Sequence, residues 1–116
     1  GNKTRIFPVV RMEAIGTGEI LIGNNCAIEQ NVHITSMGSR LVIADNVTIA
    51  ADTFITNLDH EYRDVTKSVM DQGHILNTTT IGEGCFLGYG VSSASILKIH
   101  LVLTLAISTA YLYCFE

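Results

Sequence analysis

The sequence predicts an all-β fold: one domain built as a parallel β-helix of hexapeptide repeats, with a long loop excursion and an atypical C-terminal segment. Three observations carry that prediction. Ile or Leu returns at every sixth position in several runs, the fifth position of each run is small or β-branched, and ten Gly stand against one Pro. A period of six fits no α-helix, where apolar residues recur at three and four. It fits short extended segments joined by turns, each sending one large and one smaller side chain inward.

The first run reads Ile22-Gly-Asn-Asn-Cys-Ala, Ile28-Glu-Gln-Asn-Val-His, Ile34-Thr-Ser, and it breaks at Met37-Gly38-Ser39. The second reads Ile43-Ala-Asp-Asn-Val-Thr, Ile49-Ala-Ala-Asp-Thr-Phe, Ile55-Thr-Asn. A third begins only at Ile81-Gly-Glu-Gly-Cys-Phe and Leu87-Gly-Tyr-Gly-Val-Ser. Gly23, Ala44, Ala50, Gly82 and Gly88 follow the aliphatic residue, where a small side chain lets the backbone bend. Three segments close a triangular coil of about 18 residues, and stacked coils share one core. Ile22, Ile28 and Ile34 then take the three sides of one coil, with Ile43, Ile49 and Ile55 directly above them. Cys26 and Cys85 fall in the inward fifth column beside Val32, Val47 and Thr53. Asn24, Asn25, Asn31 and Asn46 are expected in turns, because Asn tolerates left-handed backbone angles. A sandwich with coincidental spacing would not give eight segments sharing their columns.

Composition narrows function. The net charge of −4 and pI near 5.4, with seven scattered Lys and Arg, argue against a nucleic-acid partner. The three cysteines lack Cys-x-x-Cys or Cys/His ligand spacing, so reduced thiols in a cytoplasmic protein and no metal site are expected. The four histidines likewise show no zinc-ligand spacing. Gly1 reads as the scar of a cleaved tag.

The excursion from 57 to 79 opens with Asn57-Leu58-Asp59-His60-Glu61-Tyr62-Arg63-Asp64, polar and out of step with the repeat. Insertions of this length in compact folds are usually functional. On composition alone His60 reads as a solvated loop residue. His33 is expected on an outer face or near a subunit boundary, and His74 and His100 carry less signal.

The hexads, with Asn57–Asp64 breaking out after the third side of a coil, resemble the hexapeptide-repeat acyltransferases. The likeness is greatest to the galactoside, maltose and capsular-polysaccharide O-acetyltransferases, and runs from Gly18 to Val91. It implies a left-handed winding, an exception to right-handed crossovers. It also implies a homotrimer with sites between subunits, and acetyl-CoA as donor. The family's catalytic histidine follows a Val-x-Ile-Ala-x-x-x-x-[Ile/Leu] stretch. Laid over Val47 to Ile55, that places the role on His60. His60 would then be the general base that takes the proton of a sugar or polysaccharide hydroxyl. Asp59 and Glu61 are candidates to orient its ring. Tyr62, Arg63, Met70 and Asp71 would wall the acceptor site. Glu29 aligns with an Asn that contacts the acceptor in the sugar acetyltransferases, so the acceptor is not inherited from them. Gly88 and Tyr89 would meet the pantetheine arm.

The beat stops after Val91. Residues 92–116 hold no Gly or Pro, and among their Asp, Glu, Lys and Arg only Lys98 and Glu116. Ser93 stands where the next aliphatic residue should be, and the abrupt change near Ser92 reads as a coding sequence that has left its original frame. Ile96 to Phe115 has the length of a membrane span, but its polar residues argue against one. A strand alternating at Ile99, Leu101, Leu103, Leu105 and Ile107, an amphipathic helix, and a tail covering the coil end or a partner subunit are the other readings. With the donor half of the site so altered, a catalytically impaired trimeric scaffold is the alternative to an active enzyme.

Overall fold

Left-handed backbone at the fourth residue of each hexad sets the architecture. In a computed structural model, Asn25, Asn31, Asn46, Asp52, Gly84 and Gly90 all have φ between 52° and 71°. Each ends a short strand's follow-on turn and redirects the chain onto the next side. The structure describes residues 1–90 and the backbone of strands Ser92–Ala94, Lys98–Ile99 and Leu112–Cys114.

The chain begins with β1 (Arg5–Ile6), β2 (Arg11–Ile15) and β3 (Glu19–Ile22), then repeats the circuit through β4 (Ala27–Ile28), β5 (His33–Met37) and β6 (Arg40–Ile43). It continues with β7 (Thr48–Ile49) and β8 (Phe54–Thr56), and leaves in an arm made of β9 (Leu58–His60), a 3-10 turn (Val69–Asp71) and β10 (His74–Leu76). It returns as β11 (Thr79–Ile81), β12 (Cys85–Leu87), β13 (Ser92–Ala94) and β14 (Lys98–Ile99), with β15 (Leu112–Cys114) last. Three sheets result, each collecting every third strand: β1-β4-β7-β12-β15, β2-β5-β8-β13, and β3-β6-β11-β14. We call them the first, second and third sheets. All their pairings are parallel except β12 with β15.

The register is the expected one. Ile22 pairs with Ile43, Ile28 with Ile49 and Ile34 with Ile55, and the next turn adds Ile81 and Leu87 to the first two columns. The core is Ile28, Ile34, Ile43, Ile49, Ile55, Ile81 and Leu87 of these columns plus Leu41 and the fifth-position residues Cys26, Val32, Val47 and Cys85, all almost without exposure, with Ile22 partly buried against them. Burying one Ile or Leu side chain contributes about 1.5–3 kcal/mol. A left-handed turn costs about 1–2 kcal/mol for an ordinary residue and less for Asn or Asp, so the core outweighs the turns. Turn backbones are also stitched between coils: the Asn46 amide donates to Asn24 O at 2.9 Å, and Gly84 N to Asp45 O at 3.1 Å. Side chains extend the stitching, with Asn25 Nδ2 donating to Asn46 Oδ1 at 2.9 Å and Asn46 Nδ2 to Glu83 Oε1 at 3.0 Å.

Several expectations are corrected. A coil takes 21 residues from Ile22 to Ile43, not 18, because β5 and β6 run on past the hexad and turn at Gly38 and Ser39. The stack starts before Gly18: Ile6 and Met12 pair with Ile28 and Ile34. Val9 holds φ 63° at the fourth position of that first turn, where later coils place Asn31 and Asp52. Asn24 lies in a turn as expected, but Asn25 is the residue that takes the left-handed backbone there, and Asn24 Oδ1 accepts from Asn2 N. Cys26 is free and buried, whereas Cys85 is disulfide-bonded, so reduced thiols throughout are not what the fold holds. The antiparallel return of β15 sets Cys114 opposite Cys85, a pairing that spacing does not reveal. Past Val91 the sheets go on, with Ser93 opposite Ile55 and Ile99 opposite Ile81. The alternation proposed for Leu101 to Ile107 and the helical reading lie outside the described residues. No helix among the described residues is long and apolar enough to cross a membrane.

Candidate functional site

The arm leaves the stack at Asn57, a fully buried polar residue. Its Oδ1 accepts from Met37 N at 2.9 Å, its Nδ2 donates to Ser36 Oγ at 2.8 Å, and its backbone N and O bond Thr35 O and Asn77 N. One residue thus ties the exit of the insertion to β5 through its side chain and to the return point at Asn77 through its backbone. The expected loop of 57–79 is therefore partly a two-stranded antiparallel arm, with Leu58 opposite Leu76, Asp59 opposite Ile75 and His60 opposite His74. Alternation along both strands explains it: Leu58 and His60 share one face, as do His74 and Leu76. Leu76 packs on Gly38, its Cδ1 only 2.4 Å from where a Cβ at that position would sit. The Leu/His face of the arm is thus turned toward the β5–β6 corner.

Beyond β9 the arm is held by local polar bonds rather than by a core. Glu61 N donates to Gly73 O at 3.1 Å. Gln72 bridges the tip, its Oε1 accepting from Asp64 N at 3.0 Å and its Nε2 donating to Asp64 O at 2.8 Å. Asp64 accepts from the Thr66 hydroxyl and amide, which hold its carboxyl below the usual range. Tyr62, Val65 and Met70 project into solvent, with exposures of 66%, 94% and 80%.

His60 is half-buried and its ring lies beside that of His74, centroids 4.8 Å apart and planes tilted by 43°. Neither acidic neighbour orients it. Asp59 Oδ1 accepts from the His60 backbone N at 2.8 Å, and Glu61 Oε1 accepts from the amides of Tyr62 and Arg63 at 3.0 Å while pairing with the Arg63 guanidinium. His74 is the residue that reading along the chain undervalued. The mirrored text Leu58-Asp-His60 and His74-Ile-Leu76 is the signal that would have found it.

The remaining predicted site residues are elsewhere. Glu29, Ala50 and Gly88 are equivalent second-position residues of successive turns, at the corner leading from the first sheet to the second. Glu29 N donates to Ile49 O and Ala50 N to Leu87 O, both at 2.9 Å. Gly88 O accepts from Thr53 Oγ1 at 3.2 Å. Tyr89 follows in the same turn, and its hydroxyl donates to Asp52, which lowers the Asp52 pKa after the larger effect of Asn31 and raises that of Tyr89. The arm departs from the next corner, between the second and third sheets. A single chain therefore groups Asp59, His60, Tyr62 and Arg63 on the arm, and Glu29, Gly88 and Tyr89 at another corner.

On the outer face of the second sheet, His33 Nε2 lies 3.0 Å from Glu13 Oε2 and 3.2 Å from Thr35 Oγ1, with Phe54 edge-on at 5.3 Å. His33, then Arg11, hold the Glu13 carboxyl below its ordinary range. Both partners meet the same imidazole nitrogen. A groove of about 400 Å³ runs along Leu21, Val42, Asp45 and Glu83. Its carboxylates are already engaged, Asp45 by Asn24 N and Glu83 by Asn46. Among the described residues no group of three or more His, Cys, Asp or Glu is arranged to hold a metal. Comparison with protein-family models, curated proteins and solved structures finds no match to this chain.

Proposed function

We propose that the chain is an acetyl-CoA-dependent O-acetyltransferase of the hexapeptide-repeat type, acting on a sugar or surface-polysaccharide hydroxyl, with left-handed winding and a trimeric assembly. The observation that carries the reading is the position of His60. It sits on an insertion that leaves directly after β8, between the second and third sheets, half-buried, with its ring nitrogens free of hydrogen bonds among the described residues. A general base needs such an open nitrogen within reach of the hydroxyl it deprotonates.

In this mechanism the acceptor oxygen adds to the thioester carbonyl as His60 takes its proton. The tetrahedral adduct then expels the thiolate, and the imidazolium returns the proton to sulfur. The acetyl group passes directly between substrates within a ternary complex. The separation of His60 from Glu29, Gly88 and Tyr89 supports a shared site, because a cleft containing both groups draws them from two chains. Tyr62 and Arg63 on the exposed arm are then placed to meet a neighbouring subunit and the acceptor. The donor points to a cytoplasmic setting, in which the Cys85 disulfide is uncommon.

The test is acetyl transfer from acetyl-CoA to a panel of sugars. His60→Ala is expected to lower kcat by about 10²–10⁴-fold, the usual worth of a general base. An unchanged rate would remove His60 from the chemistry. Calorimetry with acetyl-CoA separates the enzyme from a trimeric scaffold of the same fold: heat of binding supports the former, silence at millimolar ligand the latter.

A further inference from the structure

His60 and His74 lie 14 residues apart in sequence but directly opposite each other in the β9–β10 ladder. Directly opposed residues of an antiparallel pair project from the same face, with Cβ atoms about 4.5–5.5 Å apart. Here the two rings remain together out to their centroids, at 4.8 Å. Neither ring has a hydrogen-bond or ion-pair partner among the described residues, unlike His33, whose Nε2 faces Glu13 and Thr35. The strands that carry them are fixed at both ends, by Asn57 and Leu76 at the stack and by Glu61 N to Gly73 O beyond the histidines.

We propose that His60 and His74 form a two-imidazole chelating site for a borderline divalent transition metal of the Zn²⁺, Ni²⁺ and Cu²⁺ class. Imidazole nitrogen suits these ions, whereas Mg²⁺ and Ca²⁺ demand oxygen ligands. Two protein ligands leave the other coordination positions to water, so the ion is held more weakly than in a structural site with four protein ligands. The metal-ligand spacings sought in a sequence are local, and this pair is created only when the arm folds back on itself. The site does not depend on His60 acting as a base. If both hold, the ion occupies the lone pair that would take the hydroxyl proton, and it inhibits transfer.

The experiment is calorimetric titration of the whole chain with Ni²⁺, alongside NMR of the imidazole protons. One Ni²⁺ per chain is expected, with the His60 and His74 ring signals broadened together before those of His33. His60→Gln and His74→Gln should each weaken binding by about 10–100-fold or more, since even changes in the groups that merely orient a ligand cost that much. The double variant should bind little worse than either single one, because losing one imidazole already destroys the chelate. Absence of binding, or binding that only one of the two substitutions affects, would overturn the proposal. If a variant loses its fold by circular dichroism, the order of broadening in the wild-type chain decides. Either result is readable without any acetyl transfer, so failure of the enzymatic reading and failure of the metal site are distinct.

Discussion

The residue that decides each turn is the fourth of the hexad. From Ile22 onward six of these positions have left-handed backbone, and Asn, Asp or Gly fills every one; only the first coil puts Lys3 and Val9 there. Their occupants tolerate that conformation, while the Ile or Leu three residues away faces the core. Thr79 breaks the pattern in the other direction. It points inward in β11, opposite Leu41, is fully buried, and its Oγ1 has no hydrogen-bond partner among the described residues. An unsatisfied buried hydroxyl costs about 1–3 kcal/mol. Val has nearly the same shape without the polar group, and a β-branched residue suits the strand. Thr79→Val is therefore expected to stabilise the protein by about 1–2 kcal/mol. The measurement is the urea midpoint, which should rise with an unchanged denaturant slope. A lower midpoint would mean that the hydroxyl is satisfied after all.

At the scale of elements, the arm is the part whose order rests on few atoms. Its tip has no buried residue, and the hydrogen bonds of Gln72, Asp64 and Ser68 are all exposed to water. What ties it to the stack is Asn57, with the contact of Leu76 on Gly38. Asn57→Ala would leave the part-buried Met37 amide without its partner, while the Ser36 hydroxyl keeps its bond to Ser39 O at 3.0 Å. A loss of about 1–3 kcal/mol for the abandoned amide follows. The distinguishing readout is hydrogen exchange, because weakly held segments open locally. Exchange at Met37 and Glu61 should accelerate far more than at Ala27 or Ile49, whose strands are paired on both sides in the middle of the stack. Uniform acceleration would show that Asn57 supports the whole fold rather than the arm. The arm also marks what could not be read in advance. Hexads repeat a local rule, so Ile22, Ile28 and Ile34 announce their own positions. Strands β9 and β10 acquire meaning only from each other, and neither half of the His60–His74 pair is exceptional alone.

For the whole molecule, the sheets and their register were legible because each turn of the chain restates the same three columns. The first coil was harder to see: Ile6 and Met12 keep the six-residue step, but Val9 and Lys3 stand where Asn or Gly would have signalled the turn. The corner grouping of Glu29 and Gly88 also followed from hexad position, whereas the disulfide at Cys85 came from an antiparallel return that breaks the parallel rule. Stacking has an electrostatic consequence as well, because outward side chains of successive coils meet in rows. Glu13 is held by His33 and then Arg11, and Asp52 by Asn31 and then Tyr89, while Asp64, on the arm, is held locally by the Thr66 side chain and amide. All three carboxyls titrate lower in the folded chain than in the unfolded one, where values near 4.5 and 3.8 apply. The unfolded state therefore binds more protons across this window, and stability rises with pH there. The contribution is complete above the ordinary carboxylate range and is lost as pH falls through the lowered values. The groups are at the surface, so solvent and salt reduce the effect. The expected result is a urea midpoint that is level near about pH 6 and declines toward about pH 3. Glu13→Gln should make that decline shallower, because it removes one of the three protonations that favour unfolding. A midpoint that stayed level or rose on acidification would show that the rows of outward side chains do not hold these carboxylates in their charged form.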